Sequence, residues 1–223
     1  MPDGQYSFYL HSDDRTDIAA MATISTISQP LRGEFIRTAA TAGAVVYQVD
    51  ARLPALIPVF FAGQLSAVRL CAVMALVSGT WSSLTGLPDE PENGEAALPV
   101  SPETEYQRRR YTLTLQNGRS GERGESVLTE ASSRLRGDLL RNLIITGLAL
   151  HTTAPELPRL LASMPVPPTS VSELQALVQQ MAGTADVNRA AAAVPDTPAA
   201  SAAPVSGSDT REIKKNMRRA FGD

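Results

Sequence analysis

Residues 105–150 read EYQRRRYTLTLQNGRSGERGESVLTEASSRLRGDLLRNLIITGLAL, and this stretch decides how the rest of the chain is read. Tyr111, Leu113 and Leu115 alternate with Thr112, Thr114 and Gln116, the period of a strand with two unlike faces. Asn117-Gly118 follows and tolerates positive φ, so a hairpin or a strand running into a loop is expected. The glycines and charges of GRSGERGE predict an exposed loop carrying Arg119 and Arg123. From Ser126 the period changes to that of a helix. Leu128, Ala131, Leu135, Leu139, Leu143 and Leu148 form its apolar stripe, Arg134 and Arg141 flank it, and Gly137 is a point of interruption.

The chemistry of this stretch is cationic. Arg108, Arg109 and Arg110 lie between Tyr106 and Tyr111, a combination in which guanidinium groups neutralise phosphates while rings stack on bases or support the arginine stems. The chain as a whole carries a formal charge of −3. That sum hides an asymmetry: residues 1–103 carry 5 basic residues and 11 acids, whereas residues 104–223 carry 15 basic residues and 12 acids. A polyanion site is therefore expected in the second half, and an acidic first half facing a neighbour's basic half would suit a homo-oligomer.

Working toward the N-terminus, residues 87–105 (LPDEPENGEAALPVSPETE) combine prolines, Asn-Gly and acids, and predict an exposed acidic loop. The apolar run over residues 53–77 is broken by Pro54, Pro58, Gln64 and Arg69, which favours buried helices over a membrane span. Residues 44–49 (AVVYQV) have the β-branched density of a strand, after a helix opened by Pro30 and closed near Gly43. Tyr6, Phe8 and Leu10 alternate as a short strand, and HSDDRTD offers the N-cap of a helix through Ile18, Met21 and Ile24. Toward the C-terminus, proline-punctuated helices are expected over residues 157–164 and 171–181. Ser170 and Glu173 form a capping-box pattern before the second.

The fold class that results is mainly α, with α+β as the alternative. It is a helical core over residues 1–184 with a small β-hairpin or short strands, followed by a disordered Pro/Ala/Ser-rich segment over 185–208. The last segment, 209–223, is a basic amphipathic tail. Lys214, Lys215, Arg218 and Arg219 share one helical face there, while Ile213, Met217 and Phe221 trace another. Such a tail would fold on a partner, either nucleic acid or a protein such as a polymerase.

Catalytic chemistry finds little to work with. With only His11, His151 and the lone Cys71, no metal-ligand spacing can be drawn, and neither a nucleophile elbow nor a phosphate-cradling loop occurs. The expectation is a non-enzyme with no cofactor and no membrane partner. Its expected nucleic-acid contacts are Tyr106, Arg108, Arg109, Arg110, Tyr111, Arg119, Arg123, Arg134, Arg141, Lys214, Lys215, Arg218 and Arg219.

A body with an arginine-rich surface joined to AAAAVPDTPAASAAPVSGS, residues 190–208, resembles the proline-alanine-serine-rich proteins of polymycoviruses, which are fungal double-stranded RNA viruses. The resemblance implies a genome-associated structural protein that binds RNA, double-stranded by preference, and self-assembles as a coat or filamentous capsid. It also implies a location in the host cytoplasm and the virion. The alternative, from another class, is an adaptor that recruits a protein partner through the tethered tail.

Overall fold

The computed structural model describes residues 4–80, 107–115 and 119–192. It is mainly helical with one small sheet, as the composition and periodicity indicate. In order, the elements are β1 (Gln5–His11), α1 (Arg15–Ser25), α2 (Gln29–Val49), α3 (Leu53–Phe60), α4 (Ala67–Ser78), β2 (Arg108–Thr114), α5 (Arg119–Glu130), α6 (Arg136–Thr153), α7 (Leu157–Ser163) and α8 (Val171–Ala192). The described residues up to Val187 belong to one compact unit.

Two long helices make its centre. α2 and α6 pack together, and α3, α5, α7 and β1 pack around them. Residues 143–150 of α6 are buried on every side of the helix. α2 contributes Ile36 and an uninterrupted buried run over residues 39–46. The contact is backbone against backbone. A methyl group added at Gly43 would overlap the Leu143 carbonyl and lie 2.8 Å from Leu143 Cα, and one at Gly147 would overlap the Ala39 carbonyl and lie 2.5 Å from Ala39 Cα. As α2 advances from Ala39 to Gly43, its contact on α6 recedes from Gly147 to Leu143, so the two helices run in opposite senses.

This explains two departures from the sequence reading. α2 continues through Gly43 instead of closing there, and residues 44–49 extend the helix instead of forming a strand. Gly43 serves close approach, and burial of Val45 and Val46 against neighbouring helices outweighs their strand preference.

The expected hairpin at Asn117-Gly118 is replaced by a long-range pairing. β2 lies antiparallel to β1, with Tyr6 opposite Leu113 and Phe8 opposite Tyr111. Residues 116–118 are outside the described residues, and the chain after them enters α5. The glycine-rich stretch read as a loop is therefore helical. Val127 and Leu128 bury its far end, and Gly124 lets it approach the Leu115 side chain, where a Cβ would stand 3.3 Å from a Leu115 methyl. The single helix expected from Ser126 is instead two, α5 and α6. In the turn between them Arg136 Nε donates to the Ala131 carbonyl at 3.1 Å, satisfying an acceptor that the end of α5 leaves open.

α8 begins with the expected cap. The Glu173 amide donates to Ser170 Oγ at 3.3 Å, while the Glu173 carboxylate accepts from the Thr169 amide at 2.8 Å, one residue earlier than the pattern implies. α8 reaches Ala192 because alanine, the best helix former, fills its end. The acidic stretch over 87–105, the remainder of the Pro/Ala/Ser-rich segment and the tail lie outside the described residues.

The glycine contact gives a direct test. Gly43→Ala and Gly147→Ala are each expected to destabilise the protein by about 3 kcal/mol, because the helices must move apart. Gly33→Ala, also in α2, meets only the Arg37 guanidinium at 3.7 Å. It should be neutral or stabilise by up to about 1 kcal/mol. Chemical denaturation of the three variants checks this.

Candidate nucleic-acid interface

The β1–β2 ribbon sorts its residues by parity. Phe8, Leu10 and Leu113 are buried on the inner face, with Tyr6 and Tyr111 partly buried beside them. Phe8 and Tyr111 stack at 5.1 Å between ring centroids and 13° between planes. Gln5, Ser7, Tyr9 and His11 therefore share the outer face with Arg108, Arg110, Thr112 and Thr114.

Two exposed arginines on this face are held in place. The Arg108 guanidinium lies 3.5 Å over the Tyr9 ring centroid, and Arg110 Nη2 donates to Ser7 Oγ at 3.1 Å. A cation stacked on an aromatic face and a guanidinium tied to a hydroxyl have surrendered part of their rotamer freedom before any ligand arrives. Both keep donors directed to solvent. Arg109, at the opposite parity, is exposed at the end of the inner face with its guanidinium 5.2 Å from the Tyr111 ring. Burial raises the Tyr111 hydroxyl above the usual tyrosine range, with the Arg109 charge acting in the other direction. Tyr111 thus supports the ribbon from within, packed on Phe8.

The other expected arginines divide. Arg123 Nη2 donates to the carbonyls of Met164 at 2.9 Å and Pro165 at 3.1 Å, so it fastens α5 to the end of α7. Arg134 is exposed in the turn after α5. Arg119 begins α5, with its side chain outside the described residues, as are Tyr106, Lys214, Lys215, Arg218 and Arg219.

Arg141 belongs to a buried polar knot. Its Nε donates to Asp17 Oδ1 at 2.7 Å, and its Nη2 lies 3.2 Å from Asp14 Oδ1. Asp17 is fully buried and also accepts from the His11 amide at 2.9 Å. One carboxylate therefore joins the end of β1, the first turn of α1 and the middle of the molecule at α6. Burial raises the Asp17 carboxyl above its ordinary range, against the lowering effects of the His11 amide and Arg141. Arg123 and Arg141 are thus engaged within the fold, while Arg108 and Arg110 face outward. Tyr9 and Ser7, which fix those two, were not among the expected contacts. The alternation of Tyr6, Phe8 and Leu10 already places both on the opposite face.

The fold and this face define a helical domain that presents a two-stranded, arginine-bearing ribbon. The chain belongs to the plasmid stability protein family: the family model, described as plasmid stability protein, matches residues 4–74 and 109–178. Comparison with curated proteins and with solved structures finds no match.

The family match overturns the resemblance to polymycovirus proteins. The viral coat or filamentous capsid, its RNA genome and the location in host cytoplasm and virion fall with it, in favour of a plasmid-associated protein. The physical reason lies in what carried the resemblance. Ala, Pro and Ser accumulate in low-complexity segments of unrelated proteins, so their abundance over residues 190–208 is a feature of composition and does not indicate descent. The match runs through β1 to α4 and β2 to α8 and leaves that segment out. Among the described residues, no helix is long and apolar enough to cross a membrane.

The buried knot predicts a pH signature. The raised Asp17 value means that the folded chain holds this proton more tightly than the unfolded chain, so its stabilising contribution is fullest in acid and is lost as pH rises through the raised value. The thermal stability of the wild type relative to Asp17→Asn should therefore decline from about pH 4 toward neutrality. Arg141→Met, which strands the carboxylate, should cost about 3 kcal/mol at neutral pH and less in acid.

Proposed function

We propose that the protein is a non-catalytic DNA-contacting component of plasmid maintenance, and that the outer face of the β1–β2 ribbon is its contact surface. The observation that carries this reading is the pair Arg108 and Arg110, exposed side by side on one face of a two-stranded ribbon and each held by a β1 side chain. A two-stranded ribbon has the width of the DNA major groove, and proteins that read DNA with β-strands enter it this way. The family description supplies the biological setting, since plasmid stability is exerted on DNA or on what carries it.

Chemistry assigns the roles. Arg108 and Arg110 supply phosphate neutralisation or bidentate donors to guanine edges, and Thr112 and Thr114 add hydroxyls on the same face. Tyr9 holds the Arg108 plane. Arg109, at the other parity, reaches phosphate at the ribbon's edge. Because the chain is acidic overall, affinity should come from this local face and depend steeply on salt.

Binding to plasmid DNA across a salt series tests the reading. Arg108→Ala with Arg110→Ala should lower affinity about tenfold or more and reduce the salt slope by about 2, leaving the melting temperature unchanged. Arg141→Met should affect binding only through stability. Absence of binding to duplex DNA at low salt would remove the proposal.

A further inference from the structure

The chain uses one unit twice. At a single constant shift in numbering, residues 31–37 (LRGEFIR) fall on residues 135–141 (LRGDLLR), Gly43 on Gly147, Leu53-Pro54 on Leu157-Pro158 and Ser66 on Ser170. The same shift carries α1, α2, α3 and α4 onto α5, α6, α7 and the start of α8, and β1 falls on β2 at a shift one residue shorter. Hydrogen bonds repeat with the sequence. Arg32 donates from Nε to the Ile27 carbonyl at 2.8 Å and from Nη2 to the Ser25 carbonyl at 3.1 Å, and Arg136 does the same to Ala131 at 3.1 Å and to Thr129 at 3.4 Å. Ser66 Oγ accepts from the Arg69 amide as Ser170 Oγ does from that of Glu173. The two segments matched by the family model end at equivalent residues, Met74 and Val178.

A pseudo-two-fold axis relates the halves. It passes between Phe8 and Tyr111, equivalent residues that face each other in the ladder and stack. It also exchanges the contact of Gly43 on Leu143 with that of Gly147 on Ala39. The halves interlock, since α3 packs on α6 and α7 on α2. A two-fold on a DNA-binding protein is ordinarily supplied by two identical chains, and then the two half-sites are alike. Here the second repeat takes the place of the second chain, so the halves are free to differ. On the outer face they do: Gln5, Ser7, Tyr9 and His11 hold the positions of Arg108, Arg110, Thr112 and Thr114. The pairing of His11 with Arg108 and of Tyr9 with Arg110 makes one end of the ribbon cationic, while Gln5 with Thr114 and Ser7 with Thr112 make the other end neutral. The anchoring differs as well, because Asp17, which holds the His11 amide, has Gly121 as its counterpart.

We propose that one chain fills a whole duplex DNA site that is two-fold in shape and unequal in sequence, with guanine edges met by Arg108 and Arg110 in one half and an adenine edge met by Gln5 in the other. In the major groove arginine is bidentate to guanine and glutamine to adenine, so the exchange of Arg108 for Gln5 across the axis exchanges the base that is read. The ribbon keeps its two strands and its width. This inference rests on the DNA reading and adds to it the stoichiometry and the character of each half-site.

Selection of binding sites from a randomised duplex library by the full-length protein, followed by the mass of the complex on a selected site, tests it. The expected result is one chain per site and a non-palindromic consensus, with guanines in one half favoured about tenfold over other bases. Gln5→Arg with Thr112→Tyr copies the pair of Arg108 and Tyr9 into the other half, since Thr112 is the counterpart of Tyr9. That variant should bring guanine to the matching position and make the consensus palindromic there. Arg108→Gln should instead replace guanine by adenine in its own half, and circular dichroism checks that both variants are folded. A palindromic wild-type consensus, binding without base preference, two chains per site, or folded variants that keep the wild-type consensus would overturn the proposal and leave the DNA reading standing. Absence of binding to any duplex at low salt removes both.

Discussion

Two helices can meet backbone to backbone only where both lack side chains at the point of contact, and the centre of this protein depends on that condition being met twice. Gly43 on α2 admits the Leu143 backbone, and Gly147 on α6 admits that of Ala39. Each glycine would ordinarily weaken its helix through backbone entropy and lost packing. The gain is a short interhelical distance that lets residues 39–46 and 143–150 bury almost every side chain between them and the surrounding elements. The remaining elements take their places on this pair: α3, α7 and α5 on its flanks, and β1 against α6. Even the ribbon's anchor follows from it, because Arg141 reaches Asp17 from the turn of α6 that precedes Leu143.

The arginines show how one residue type serves two ends. A guanidinium that finds a buried carboxylate or the carbonyls at a helix end becomes part of the frame, as Arg141, Arg123 and Arg136 do. Among the described residues, a guanidinium on the outer face of the ribbon meets a ring or a hydroxyl, which orients it, as with Arg108 and Arg110. The first kind links the positions of β1, α1 and α6. The second kind uses the rigidity so produced. Because the Asp17 knot pins the His11 end of β1 opposite Arg108, the geometry of the exposed face is coupled to a buried ion pair on its far side.

Much of this architecture was legible in the sequence, and the gaps have physical causes. The helical class, both strands, the helix over the Pro54 and Pro58 segment and the Ser170 cap could be read from period and capping residues, although that helix is half-exposed through Leu56, Val59 and Phe60 instead of buried all round. The pairing of β1 with β2 could not, since hairpin signals are local and this partner lies a hundred residues away; Asn117-Gly118 drew attention to a nearby turn instead. The strand assigned to residues 44–49 failed because β-branched residues record burial as well as strand preference. GRSGERGE was misread because glycine in a helix is penalised in isolation, whereas here Gly124 admits Leu115. Among the candidate contacts, the cluster at Arg108 was visible as sequence, but the division of the arginines into inward and outward needed Asp17, 124 residues from Arg141.

Native-state amide hydrogen exchange tests the central claim most directly, because it asks whether the α2–α6 contact is the last structure to open. The account predicts that the amides of residues 39–46 and 143–150 exchange together, only through global unfolding and more slowly than all others. The outward amides of Arg110 and Thr112, which the β1–β2 ladder does not use, should exchange fastest within the ribbon. Independent exchange of α2 and α6, or protection in α4 or α8 exceeding theirs, would contradict it.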